Sequence, residues 1–71
     1  MPRYYFHLDG ARPYIDEDGV ELADDRSAWM QAKRFAREIE NELEPGERWH
    51  LEVHRESRPV FLLIVSSRKF E

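Results

Sequence analysis

The sequence contains no cysteine among its 71 residues, which excludes disulfide bonds, thiolate zinc sites and cysteine nucleophiles. Glycine is also scarce, with three residues, and these form no glycine-rich loop of the kind that holds phosphate groups. The longest apolar run, residues 59–65, is too short to cross a bilayer. The first ten residues lack the apolar core and cleavage site of a signal peptide. These absences predict a cytoplasmic protein with no membrane partner.

A positive charge excess is missing as well. Eleven lysines and arginines stand against 15 aspartates and glutamates, for a formal net charge of −4. This acidity works against duplex nucleic-acid binding, since such binding needs a positive footprint. The 41% hydrophobic and 13% aromatic content is that of one globular domain, residues 1–71. A domain this small buries about 60% of its unfolded surface, so any association would matter for its stability.

A helix is predicted over residues 25–44, because apolar side chains recur there every three or four residues. Asp24 or Asp25 is expected to cap its N-terminus. Four glutamates crowd its negative C-terminal end, and Arg48 and Arg55 are expected to neutralise them. The apolar stripe consists of Ala28, Trp29, Ala32, Phe35, Ala36, Ile39 and Leu43.

Extended segments flank this helix on both sides. Residues 3–8 are rich in aromatics, and Asp9-Gly10 predicts a hairpin turn that returns residues 11–15 along a sheet edge. Residues 48–56 alternate between apolar and polar, whereas residues 60–65 are apolar throughout. The predicted fold class is α+β, a small antiparallel-rich sheet in the order β-β-α-β-β. One amphipathic helix packs on one face, and the apolar strand 60–65 is placed centrally.

The apolar strand leads to the main functional hypothesis. One helix covers one face of a sheet, whereas residues 60–65 are apolar on both faces, so the open face should carry an apolar patch. We expect a non-enzymatic interaction module, most simply a homodimer or a partner of an unidentified protein, that associates through this face or an edge strand. Alternatively, the C-terminal tail with Phe70 folds over the patch. The candidate interface residues are Tyr5, His7, His50, His54, Phe61, Leu63 and Val65, or their alternates on the last strand.

A second hypothesis concerns one flank of the predicted helix. Arg26, Lys33 and Arg37 fall there, with Met30 among them. A small regulatory or antitoxin-like protein could contact nucleic acid through such a flank, and its binding would weaken with salt. A charged flank is more often the solvated edge of a helix, so nucleic acid is not the favoured partner.

Metal binding and catalysis are weakly indicated. His50 and His54 lie four residues apart on a strand, a separation of about 13 Å that no single ion can bridge. A cross-strand pair of His7 with either of them is feasible. We therefore predict no metal site and no cofactor. The serines occur in no nucleophile motif, so no catalytic residues are predicted.

The acidic segment before the helix partly matches a calcium-binding loop. If Asp16 and Asp18 were ligands, Gly19 would stand at the glycine position, but Tyr14 would replace the first ligand. A turn followed by a helix cap explains these residues better.

Several stretches together are familiar. These are Met1–Leu8 (MPRYYFHL), the segment 16–22 (DEDGVEL), the Ala-rich helix that starts at Asp24, and the apolar closing strand. The chain resembles a family of short stand-alone α-proteobacterial proteins of unknown function, whose members open with a similar octapeptide. The resemblance implies this fold and a bacterial cytoplasmic setting, and it implies no catalytic residues. The closing turn, residues 54–59, lacks the glycine that the family tends to use there.

Overall fold

A computed structural model of the protein describes residues 1–70. It contains a four-stranded antiparallel sheet in the order β2-β1-β3-β4, with one helix on one face. This confirms the predicted α+β class and the element order β-β-α-β-β. Within residues 1–70, no helix has both the length and the apolar character needed to cross a membrane. The elements are β1 (Arg3–Asp9), β2 (Val20–Glu21), α1 (Asp25–Glu42), β3 (Arg48–Arg55) and β4 (Arg58–Ser66).

Helix α1 begins where the sequence predicts. Asp24 is the N-cap, and its Oδ1 accepts the backbone N–H of Ser27 at 2.9 Å. The helix ends at Glu42, two residues earlier than predicted, because Leu43 takes an extended conformation with φ −70° and ψ 125°. Pro45 lies two residues further on and could not have continued the helical hydrogen bonding.

The core lies between α1 and the face of the sheet that it covers. Two of its helix residues, Ala28 and Ala32, are completely buried, and their small side chains let the helix backbone approach the strands closely. The predicted stripe therefore does face the sheet. Besides these two alanines, the buried apolar residues are Tyr4, Phe6, Ile39, Trp49, Leu51 and Val53.

The N-terminal end of α1 is tied to the sheet by three side chains. The buried Tyr4 hydroxyl donates to Asp25 Oδ1 at 2.6 Å, and Arg55 donates to the same oxygen at 3.0 Å. Burial, and then the bond to Asp25, raise the pKa of the Tyr4 hydroxyl, so it stays protonated and donates. The prediction that Arg55 neutralises the helix C-terminus is wrong, because β3 ends beside the start of α1. At the C-terminal end, Arg12 instead pairs with Glu42 at 3.3 Å.

The first predicted hairpin is only partly correct. Residues 11–15 form no strand and meet β1 at a single bridge, in which Leu8 and Tyr14 exchange backbone hydrogen bonds of 2.8 and 2.9 Å. The strand that pairs with β1 is β2, through Arg3 opposite Glu21 and the adjacent pair. On one side of this bridge the Phe6 N–H donates to the Asp16 side chain and not to a backbone carbonyl, so the ladder does not continue there.

Asp16 organises the loop between β1 and β2. Its Oδ1 accepts the N–H groups of Asp18 and Gly19 at 3.2 and 3.0 Å, and its Oδ2 accepts the N–H of Phe6 at 3.2 Å. The Asp16 N–H in turn donates to His7 Nδ1 at 3.1 Å. One carboxylate therefore closes the turn and attaches it to β1, which is the role that the turn interpretation assigned to this segment.

The bonds to Asp16 predict an acid dependence of stability. Burial alone would raise the pKa of Asp16, but the hydrogen bonds from Gly19, Phe6 and Asp18 outweigh it and lower the pKa. A lowered folded-state pKa contributes stability that is present above the unfolded pKa, about 3.9, and is lost as pH falls through the folded value. The free energy of unfolding should therefore fall on acidification from about pH 5 to pH 2.

Urea titrations at several pH values would measure this effect. Asp16→Asn should be less stable than the wild type at neutral pH and should lose less stability on acidification. Glu17→Gln, which also removes one negative charge from an exposed neighbouring position, is the matched control and should keep the wild-type acid dependence. An acid dependence of Asp16→Asn equal to that of the wild type would contradict this account.

Strand β4 lies at an edge of the sheet, so the prediction that residues 60–65 form a central strand is wrong. A two-residue turn, Glu56-Ser57, joins β3 to β4 and makes them neighbours. Glu56 takes the positive φ of 55° there, in place of a glycine. β1 pairs with the other side of β3, and within the described residues no strand lies beyond β4, so β4 is paired on one side.

The faces of β4 are also reversed relative to the preferred prediction. Next to the turn, Arg55 lies opposite Arg58, but a bulge at Val53/His54 then shifts the pairing by one residue, so that Val53 lies opposite Phe61. A one-residue shift moves every following side chain to the other face of the sheet. The placement of Phe61, Leu63 and Val65 on the open face is therefore wrong. All three pack against the core, as does Val60 at the bulge.

Candidate functional site

The open face of the sheet carries a row of aromatic and imidazole rings. Tyr5 lies opposite His54 on the neighbouring strand. The Tyr5 and His7 rings are stacked with centroids 6.5 Å apart, and the His7 and His54 rings meet edge to face at 5.0 Å. His50 lies further along β3, opposite Asp9. The structure thus brings Tyr5, His7 and His54 together, as the sequence suggested, and leaves His50 apart from them.

The imidazole groups of this row already have partners. His54 Nε2 lies 2.5 Å from Glu52 Oε1, and His7 Nδ1 accepts the Asp16 N–H at 3.1 Å. His7 lies opposite Glu52 and so is diagonal to both His50 and His54, and its ring contacts that of His54. Across residues 1–70, no three histidine or carboxylate side chains are placed so that they could share an ion. The open face therefore offers ring surface and hydrogen bonds, with His7 bound to the loop and His54 bound to its own strand.

Two apolar side chains complete the open face, and both belong to the alternate set on β4. Leu62 is 55% exposed and Ile64 is 48% exposed. Leu62 lies opposite Glu52, and Ile64 lies opposite His50. Phe70 is itself 80% exposed, so the alternative, in which the tail folds over this patch, is wrong.

The sequence signal that could have identified Leu62 and Ile64 is weak. A two-residue turn with uninterrupted pairing would place Leu62 opposite Leu51, on the covered face. The structure instead pairs Leu51 with Leu63. Pro59 precedes the bulge, and proline within a strand is typically found at edges and bulges. This proline is the only local signal for the shift.

Among residues 1–70, no strand pairs with the outer edge of β4, which therefore presents unpaired backbone groups. The Ser67 N–H donates to the Glu47 carbonyl at 3.0 Å, so these two residues form a hydrogen-bonded pair just beyond the strands. Such pairs alternate along an antiparallel ladder, which makes Trp49/Val65 and Leu51/Leu63 the bonded pairs. The N–H and C=O groups of the intervening residues, Leu62 and Ile64, therefore point away from β3.

The basic flank predicted on the helix is exposed. Arg26, Lys33 and Arg37 are all solvent-exposed, and none of them forms an ion pair with a residue in the range 1–70. Met30, between them, is exposed as well. Nothing in this geometry distinguishes a nucleic-acid contact from the solvated edge of an amphipathic helix, so nucleic-acid binding stays a prediction.

Comparison with known protein families matches residues 3–66 to a domain of unknown function (DUF6894). The match spans β1 to β4 and so covers every element of the fold. No curated protein and no solved structure matches the chain.

Proposed function

The chain belongs to the DUF6894 family, a domain of unknown function, and from its own geometry we propose that it is a non-enzymatic interaction module that forms a homodimer through β4. The observation that carries this proposal is a nine-residue edge strand whose exposed residues, Leu62 and Ile64, also present unpaired backbone groups. An edge of this kind is a template for pairing with another chain. The bacterial origin and the cytoplasmic location implied by the resemblance stay predictions.

The pairing that suits this edge is antiparallel, around a two-fold axis at Leu63. Leu62 of one copy would then lie opposite Ile64 of the other, and the outward N–H and C=O groups of both would bond across the axis. The same register groups four apolar side chains on the open face, two from each copy. Pro59, which has no N–H, would lie outside the paired stretch.

Edge pairing is favoured over face-to-face packing because of what else the open face carries. Glu52 lies beside Leu62 and is about half exposed, and two copies packed face to face would bury its carboxylate. Glu52 bonds His54, but burying a carboxylate is costly unless its remaining hydrogen-bonding positions are also filled. Pairing along β4 leaves Glu52 in solvent and still covers Leu62 and Ile64 partly.

Substituting proline for Leu62 tests the proposed pairing. Because the Leu62 N–H points away from β3, its removal costs no bond within the subunit but removes two across the dimer. At about 1 kcal/mol each, the dimer dissociation constant should rise about 30-fold. Sedimentation equilibrium from micromolar to millimolar concentration would measure it.

A matched variant separates the backbone effect from the side-chain effect. Leu62→Thr keeps the N–H, and its β-branched side chain suits a strand, so it should weaken the dimer less than Leu62→Pro. Circular dichroism of each variant reports whether the subunit keeps its fold. Ile64→Lys, which places like charges near the axis, is a second variant that should produce monomers. A wild type that is monomeric throughout, or an unchanged dissociation constant in Leu62→Pro, would refute the proposal.

A further inference from the structure

A second surface lies on the other side of the molecule, where α1 leaves part of the sheet uncovered. The helix lies over β3 and β4. It contacts β1 at Asp25, which accepts the Tyr4 hydroxyl, and at Phe35, whose ring packs on Phe6 at 5.3 Å. The space between α1 and the loop that joins β1 to β2 is therefore open. We call this space the β1-side groove.

The β1-side groove consists of two adjoining cavities of about 330 and 200 Å³ that share Leu8 and Phe35 as lining residues. Its length follows the helix from Gln31 to Glu42, which at 1.5 Å per residue is about 16 Å. Tyr14 and Val20 line the cavity nearer the helix start and are 57% and 40% exposed. The groove is thus an open, elongated apolar surface with the dimensions of about three helical turns.

The rim of the groove is acidic on both sides. Glu38 and Glu42 border it on the helix, and Asp16 borders it on the loop, next to Glu17 and Asp18. Asp16 stays ionised because its backbone hydrogen bonds lower its pKa against the effect of burial. The basic residue on this rim is Arg12, and Glu42 already pairs with it.

We infer that the β1-side groove binds a short amphipathic helix of a partner protein, with an apolar face on Leu8 and Phe35 and basic residues against the acidic rim. An apolar floor between charged walls is the arrangement by which grooves recognise amphipathic helices, and opposite charge on the rim selects the partner. Since β1 and β4 lie on opposite sides of β3, the groove and the proposed dimer edge are separate surfaces. Each can fail its test without affecting the other.

Two synthetic peptides test the inference. The first is a fluorescein-labelled peptide of about 12 residues with leucines at helical spacing and lysines elsewhere; the second has the same leucines with glutamates in place of the lysines. Fluorescence anisotropy should show binding of the lysine peptide that weakens with added salt, and weaker or no binding of the glutamate peptide. Equal binding of the two peptides, or no binding of either, would overturn the inference that the groove binds a basic amphipathic helix.

Substitutions at Gln31 locate the binding. Gln31 lines the groove and is half-buried, and lysine and glutamate both suit a helix. Gln31→Lys should weaken binding of the lysine peptide about fivefold, the effect of roughly 1 kcal/mol of charge repulsion, and Gln31→Glu should strengthen it. Met30→Lys adds the same charge at an exposed position on the opposite flank and should change the affinity little.

Backbone NMR distinguishes the other occupants. With the lysine peptide added, shifts should change at Leu8, Gln31 and Phe35. Changes confined to the backbone of Val20–Glu21 would instead indicate an added strand at the β2 edge, and changes along β4 would indicate competition with self-association. Either pattern, or equal effects of Met30→Lys and Gln31→Lys, rules out the groove as the helix site.

Discussion

Gly19→Ala is expected to lower the free energy of unfolding by about 3 kcal/mol. Gly19 has φ +70°, a conformation that costs a residue with a Cβ atom about 1 kcal/mol. A methyl group there would also lie 2.8 Å from Tyr5 Cε2 and 2.9 Å from the Tyr4 carbonyl oxygen. The Tyr4 carbonyl belongs to β1 and cannot move aside without disturbing the central strands. The total free energy of unfolding of a domain this small is about 5 kcal/mol, so Gly19→Ala would remove a large share of it.

Gly46→Ala is the matched control for Gly19→Ala. Gly46 also has a positive φ, +87°, but an added Cβ would meet no atom of residues 1–70 within 4 Å. Gly46→Ala should therefore lower the free energy of unfolding by about 1 kcal/mol, the cost of the left-handed backbone conformation alone. Urea unfolding followed by the fluorescence of Trp29 and Trp49 would measure both variants, at one protein concentration because association shifts apparent stability. Equal losses in the two variants would show that the close approach at Gly19 is relieved at no cost.

Asp25→Ala is expected to lower the free energy of unfolding by about 3 kcal/mol. Asp25 Oδ1 accepts from the Tyr4 hydroxyl and from Arg55. Its removal leaves a completely buried hydroxyl without its acceptor and a guanidinium without its counter-ion. Leaving a buried polar group unpaired costs more than the net contribution of the hydrogen bond that it made. The first turn of α1 also loses a negative charge that suits the helix dipole.

A double-mutant cycle with Tyr4→Phe isolates the hydroxyl contribution. Tyr4→Phe alone should cost about 1 kcal/mol, since it removes the donor and keeps the ring. In the double variant no buried hydroxyl is left unpaired, so the combined loss should be smaller than the sum of the single losses. Asp24→Ala, which removes the adjacent N-cap from an exposed position, compares the two aspartates and should not couple to Tyr4→Phe. Strictly additive losses for Asp25→Ala and Tyr4→Phe would contradict an energetic contribution from the hydrogen bond between these two residues.

Local signals in the sequence were sufficient for the elements that depend on near neighbours. The three- and four-residue spacing from Ala28 onward predicted α1, and the pair Asp24-Asp25 predicted its start, because capping and the helical repeat are set within a few residues. The turn chemistry of Asp16 and Gly19 was likewise readable, since one carboxylate bonds backbone groups two and three residues away. The third hydrogen bond of the Asp16 carboxylate, from the Phe6 N–H on β1, could not be predicted, because it joins residues ten apart.

The candidate interface was less predictable than the fold. Alternation correctly grouped Tyr5 with His54 on the open face, because β1 and β3 pair without interruption. It failed on β4, where the bulge at Val53/His54 exchanges the two faces. The bulge alone therefore decides that Leu62, and not Leu63, is the exposed residue. The acidic, apolar β1-side groove also gave no sequence signal, since it exists only because α1 lies to one side of the sheet.

The sequence by itself determined the class of the fold, the helix with its cap and its apolar stripe, and the excess of apolar surface on residues 60–65. The tertiary structure alone decided that β4 is an edge strand, that Leu62 and Ile64 are exposed, and that Arg55 meets the start of the helix and not its end. The physical reason is the range of the interactions. Helix periodicity, caps and turns are set by neighbours within about four residues, whereas strand order, register and the position of a helix across a sheet depend on packing between segments far apart in the chain.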